Sequence, residues 1–82
     1  MKNPHDKRIA LVTGARRGIG RAVAECFRDA GMTVSALDHS AEGGPEGCEP
    51  IEADVRDAEA VRSGIDAFAR RHGRIDVLVN NA

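Results

Sequence analysis

The sequence contains no tyrosine and no tryptophan, and only two phenylalanines. Its only lysines, Lys2 and Lys7, both precede the first apolar run. These absences exclude a phenolic acid/base and a lysine working inside the fold. The two cysteines, Cys26 and Cys48, are too few for a disulfide framework and lack CxxC spacing. No histidine falls in pattern with them, which argues against a zinc site. No apolar run approaches the roughly 20 residues that cross a bilayer, so no membrane partner is expected. Residues 1–7 are polar and include a proline. They read as a flexible leader without the apolar stretch of a signal peptide. The formal net charge is −1, with no basic stripe interleaved with aromatics, so no nucleic-acid partner is expected. The cysteine usage suits a reducing, cytoplasmic setting.

What is present is a regular alternation. A chain of 82 residues is at most one small domain. Ile9 to Val12, closed by Thr13-Gly14, is a continuous apolar run that suits a strand buried on both faces. A glycine-rich turn follows, from Gly14 to Gly20. Then Ile19, Val23, Phe27 and Ala30 recur at helical spacing, with Ala22 and Cys26 widening the same face and Gly31 ending the helix. Met32 to Leu37 is a second strand, ending at Asp38. Residues 39–49 have no periodicity and read as a loop. Ile51 to Ala53 is a short third strand ending at Asp54. Asp57 caps a second helix whose face carries Val61, Ile65, Phe68, Ala69 and His72, with Gly73 at its end. Ile75 to Val79 is a fourth strand, with Asn80-Asn81-Ala82 at its carboxyl end.

Strands alternating with helices predict an α/β fold with a parallel sheet. Right-handed crossovers and a strand order of 3-2-1-4 put the two helices on opposite faces. The chain then doubles back past strand 1, and ligands bind outside the carboxyl ends at such a reversal. Gly14–Gly20, Asp38, Asp54 and Asn80-Asn81 all fall at that edge. The fourth strand carries one Asp and is too apolar for a protected edge, so self-association through it is expected.

The main motif is Thr13-Gly14-Ala15-Arg16-Arg17-Gly18-Ile19-Gly20. No Lys-Ser/Thr follows, so it is not a P-loop. Gly14 lets the chain turn out of the strand, and Gly18 and Gly20 leave room for a pyrophosphate and for close helix packing. Free N–H groups at the helix start suit phosphate oxygens. A tight turn without a ligand is the rival reading, and the strand before and helix after favour phosphate. Asp38 can accept hydrogen bonds from both hydroxyls of an adenosine ribose and would repel a 2′-phosphate. That favours NAD over NADP. Arg17 points the other way, since it could reach a 2′-phosphate, but the repulsion at Asp38 outweighs a flexible Arg. Asp54, with Val55 beside it, suits either an adenine amino group or the forming of a turn. The three histidines, and Arg70, Arg71 and Arg74, read as exposed or helix-end residues.

Together these motifs resemble the short-chain dehydrogenase/reductase family, which has a TGxxxGIG turn, an acidic residue ending the second strand, a D-V pair after the third and N-N-A-G after the fourth. The resemblance spans residues 8–82 and implies a partial, incomplete Rossmann-type NAD(P)-binding domain. It implies that Gly14, Arg17, Gly18, Ile19 and Gly20 hold the pyrophosphate side. Asp38 would hold the ribose, Asp54 and Val55 the adenine, and Asn81 the adenosine ribose and nicotinamide side. Asn80 would tie strands together. It also implies NAD(P)-dependent hydride transfer between alcohols and carbonyls, and the Asp38 argument makes NAD the expected cofactor, with NADP less favoured.

The chain departs from the family where a loop replaces the usual helix between strands two and three. It has no Tyr-x-x-x-Lys pair, so no residue here is assigned a catalytic role and the chain is predicted inactive alone. It reads as the amino-terminal, cofactor-binding portion of such an oxidoreductase. The alternative is a free-standing nucleotide-binding or interaction module.

Overall fold

In a computed structural model, described for residues 8–81, the elements run β1 (Ile9–Thr13), α1 (Gly18–Asp29), β2 (Thr33–Asp38), β3 (Glu49–Glu52), α2 (Ala58–His72) and β4 (Val77–Asn80). The expected leader over 1–7, and Ala82, lie outside the described residues. The strands form one sheet, parallel as the alternation predicts, in the expected order β3-β2-β1-β4. Residues 39–48 between β2 and β3 form turns and no helix.

β1 is buried at every position, and its side chains divide the core by their period of two. Ala10 and Val12 join Val34, Ala36 and Ala24 on the α1 face. Ile9 and Leu11 join Leu37, Ile51 and Phe68 on the α2 face. The β1 and β2 residues that face α1 are only Ala and Val, so that helix lies close to the sheet. The α2 side takes the larger side chains, and Phe68 is fully buried there. Burying a side chain of that size contributes about 2–3 kcal/mol.

The packed stripe of α1 differs from the expected one. Gly20 and Ala24 are buried, with Val23 and Phe27 half-buried beside them. Ile19 is 76% exposed, and Ala22 and Cys26 also face outward. Gly20 sets this orientation. The helix touches the turn there, and each residue turns the face by about 100°. Ile19, one step back, is thereby swung away.

The strand limits shift for equally local reasons. β4 begins at Val77 because Asp76 is occupied at the foot of β1. Its Oδ2 accepts from the Ile9 N–H at 2.8 Å, and its own N–H donates to the Ile9 carbonyl at 2.8 Å. β3 begins at Glu49 and contains Pro50, which is tolerated because β3 is an outer strand. The buried Ser35 hydroxyl donates to the Glu49 carbonyl at 3.0 Å and adds a tie between β2 and β3.

The two helices start differently. Asp57 caps α2 by accepting from the Ala60 N–H at 3.1 Å, and Glu59 lies in its first turn. The other end closes on Gly73 at φ 84°, where a residue with a Cβ would be strained. α1 has Arg17 at its N-cap position, no side-chain cap and no acidic residue in its first turn.

Two predictions come from the outer strands. The Glu49 carboxylate pairs with Arg71 and with His72, whose Nε2 lies 3.3 Å from Oε1. Burial pushes the Glu49 carboxyl up, but the bonds from Arg71 and His72 outweigh it and hold it below its ordinary 4.5. A depressed carboxyl stabilises the fold fully above its unfolded value. That contribution is lost as the pH falls through the lower, folded value. Thermal melts at falling pH should therefore show a drop in stability below about pH 4.5 that is smaller in Glu49→Gln; an unchanged drop would contradict the assignment.

Among the described residues β4 pairs only with β1, and Leu78 is 57% exposed. The 82-residue chain should therefore self-associate with rising concentration on size-exclusion chromatography. A folded monomer that persists at high concentration would refute this.

Candidate nucleotide site at the carboxyl edge of the sheet

The register aligns the strand ends that carry the motifs. Thr13 lies opposite Leu37 of β2 on one side and Asn80 of β4 on the other, and Asp38 lies opposite Glu52 of β3. Thr13 joins the strand ends through its hydroxyl. Oγ1 accepts from the Asn81 N–H at 3.0 Å and lies 3.2 Å from Asn80 Oδ1. Asn80 thus ties strands together, as the resemblance implies. Asn81 also donates from Nδ2 to the Gly14 carbonyl at 3.3 Å.

Gly14 takes φ 64° and donates its N–H to the Leu37 carbonyl at 2.8 Å, so the turn is anchored to the end of β2. Gly18 takes φ 67°, and a Cβ placed there would face open space. That space adjoins the uncapped start of α1, where N–H groups and the helix dipole suit an anion. Gly20 has the opposite surroundings. A Cβ there would lie 2.1 Å from the Gly14 carbonyl oxygen and 2.6 Å from Asn81 Nδ2. Gly18 leaves room, and Gly20 makes contact. Arg17 and Ile19 are exposed at the same helix start.

Asp38 is the most constrained carboxylate at this edge, with its side chain 15% exposed. Oδ2 accepts from the Arg16 N–H at 3.1 Å, and Oδ1 accepts from the His39 N–H at 2.7 Å. His39 Nδ1 also lies 2.7 Å from Oδ1. Burial pushes the Asp38 carboxyl up, but the two backbone N–H groups, with His39 beside them, prevail and hold it below its ordinary value. The group is therefore ionised at neutral pH. A carboxylate offers about four acceptor positions, so Asp38 keeps capacity for a further hydroxyl donor.

Asp54 is differently placed. It is half-buried, with its side chain 44% exposed, and both its oxygens are engaged by Arg56, with Nη2 2.8 Å from Oδ2 and the Arg56 N–H donating to Oδ1 at 2.9 Å. The Arg56 bonds hold its carboxyl at about 2. The Asp57 N–H also donates to the Asp54 carbonyl at 2.9 Å. In this geometry Asp54 forms the turn. An adenine amino group would need Arg56 to move aside. Val55 is 49% exposed beside it.

Gly14, Asp38, His39, Asp54, Val55 and Arg56 line one open cavity of about 360 Å³. It collects the turn, the ends of β2 and β3, and the two carboxylates into a single site. Sequence reasoning missed His39, Arg56 and the Arg16 peptide. His39 and Arg56 could have been suspected, since each stands within two residues of an Asp that ends a strand. Among the described residues no group of three or more His, Cys, Asp or Glu could hold a metal, and no helix is long and apolar enough to cross a membrane.

Gly20→Ala tests whether the close approach is required. With backbone only 2.1 Å from the new Cβ, α1 must move, so a loss of about 2–4 kcal/mol is expected in denaturant unfolding. A loss under about 0.5 kcal/mol, typical of a surface change, would contradict the packing.

The motifs and their geometry agree with comparisons to known proteins. The family model for short chain dehydrogenase matches residues 8–82. D-threitol dehydrogenase of Mycolicibacterium smegmatis is 41% identical over 94% of this chain and 34% of its own length. The ligand-free aldohexose dehydrogenase of Thermoplasma acidophilum superposes with a TM-score of 0.87. It is 42% identical over 93% of this chain and 29% of that one. The 3-ketoacyl-(acyl-carrier-protein) reductase of Brucella melitensis, solved with NADH, gives a TM-score of 0.78. It is 26% identical over 87% of this chain and 32% of that one. The chain thus spans about a third of the length of these relatives. On the family match across its whole described length, the chain belongs to the short-chain dehydrogenase family.

Proposed function

We propose that the chain forms the adenosine and pyrophosphate half of an NAD site in an oxidoreductase that interconverts alcohols and carbonyls. The observation that carries this reading is the ionised, oriented Asp38 carboxylate in the cavity it shares with Gly14, Asp54 and Val55. A ribose with two free hydroxyls would donate to it. A 2′-phosphate would bring negative charge against it, which favours NAD over NADP. Arg16 is less able to offset that repulsion, because its Nε already donates to the Glu42 carbonyl at 3.0 Å.

The residues present fit the cofactor. Gly14, Gly18 and Gly20, with Arg17 and Ile19 at the open start of α1, would hold the pyrophosphate. Asp38 would hold the ribose. Val55 would lie against the adenine, with Asp54 reaching its amino group when Arg56 moves aside. Asn81 would steady the nicotinamide side through its bond to Gly14. The cofactor supplies the hydride when bound. This chain binds and orients it, since no tyrosine or internal lysine is present to move the substrate's proton. The unbridged Cys26 and Cys48 suit work in a reducing cytoplasm.

Calorimetry on the purified protein tests the reading. NAD should bind more tightly than NADP. Asp38→Ala should weaken NAD by about tenfold and narrow the preference, because charge-assisted hydrogen bonds to the ribose are lost. A preference for NADP in the unmodified protein would overturn the assignment of Asp38.

A further inference from the structure

The loop over residues 39–48, where no helix forms, is fastened to α1 and to the turn before it by arginines that donate to its carbonyl groups. Arg28 Nη1 donates to the Glu46 carbonyl at 2.6 Å, and Arg16 Nε to that of Glu42 at 3.0 Å. Arg21 does more than its neighbours. Its Nη1 donates to the Gly43 carbonyl at 2.7 Å and to the Arg16 carbonyl at 3.1 Å. Its Nε donates to Glu25 Oε2 at 3.2 Å, one helical turn along α1. The guanidinium plane is rigid, so these bonds fix each other's directions.

This places Arg21 at a junction of three segments. It joins α1, the glycine-rich turn at Arg16, and the loop at Gly43. Arg16 in turn donates its own N–H to Asp38 Oδ2. A path of hydrogen bonds therefore runs from Glu25 through Arg21 and the Arg16 residue to the Asp38 carboxylate. Arg28 fastens the far end of the same loop, and among the described residues its side chain bonds to Asp29 and to the Glu46 carbonyl. It serves as an internal control for a fastening that does not involve the turn.

We propose that Arg21 is a positioning residue. By holding the Arg16 carbonyl and the Gly43 carbonyl together, it orients the Asp38 carboxylate to accept an adenosine ribose and to repel a 2′-phosphate. The inference rests on the nucleotide reading of Asp38. It goes further by locating cofactor choice partly on a residue of α1 that does not itself line the cavity.

The test compares Arg21→Met, Arg21→Lys and Arg28→Met with the unmodified protein in two measurements. The first is the titration of the Asp38 carboxyl by carbon-13 NMR without nucleotide. The second is the ratio of NAD to NADP affinity by calorimetry. Arg21→Met should move the Asp38 titration up toward an ordinary carboxylate and reduce the NAD-to-NADP ratio about tenfold, the effect of losing two hydrogen bonds. Arg28→Met should leave both as they were. Arg21→Lys keeps the charge without the planar fork and should fall between; it also carries the test if the Met variant does not fold. Unchanged titration and ratio in both Arg21 variants would overturn the proposal. So would an equal loss in Arg28→Met, which would mark the arginines as mere fasteners. If the unmodified protein binds neither nucleotide, the ribose reading falls and the link to cofactor choice falls with it. The titration would still report whether Arg21 orients the carboxylate.

Discussion

A β-carbon at position 20 would stand 2.1 Å from the Gly14 carbonyl oxygen, closer than unbonded atoms can come. The carboxyl edge of the sheet depends on that contact. It lets α1 begin directly against the turn that leaves β1. It also brings the helix near enough for Ala24 to pack on Ala10 and Val12. The small side chains on this side of the sheet serve the same need. On the other side, where no such approach is required, Leu11, Leu37 and Phe68 fill a thicker layer. The two faces are therefore unequal in depth, and the shallower one carries the turn.

Much of this was legible in the residues. The run Ile9 to Val12, the second apolar segment and the glycine at each helix end were enough to predict an alternating parallel sheet. The order β3-β2-β1-β4 enters as a premise, from which right-handed crossovers put the helices on opposite faces, and the sheet has that order. The loop after Asp38 was legible too, because it lacks any apolar period. The outward face of α1 was not. Ile19, Ala22 and Cys26 share the helical spacing of the buried stripe, and periodicity alone cannot say which apolar arc turns inward. Gly20 decides it, and glycine adds nothing to an apolar count. The start of β4 was hidden for a related reason: Ile75 is apolar, but Asp76 beside it is bound to the foot of β1.

The motif residues were legible as a set, and their relations were less so. Gly14, Asp38 and Asn81 stand at strand ends on one edge, and Gly18 and Gly20 lie beside them in the first turn of α1. The partners that tune them are contributed by backbone or by neighbours with no motif of their own. The N–H groups of Arg16 and His39 hold Asp38, and the Arg56 side chain holds Asp54. Asp38 and Asp54 look alike in the sequence, each an acidic residue ending a strand. In the fold one has its side chain largely covered and oriented by backbone N–H groups, and the other is more open and engaged in a turn.

The start of α1 has a thermodynamic consequence. Asp57 satisfies the first turn of α2 from within the chain, whereas α1 has no side-chain cap at all. An anion seated there would act as the absent cap. Folding and occupancy would then share one equilibrium, because a ligand that binds only the native form stabilises it by RT ln(1 + [L]/Kd). That amounts to about 2.7 kcal/mol at a hundredfold excess over Kd. Small domains are held by only about 5–15 kcal/mol in all. The concentration of a small anion in the surroundings would thus help set how much of the chain is folded, and the turn would act as a gauge of its own ligand supply.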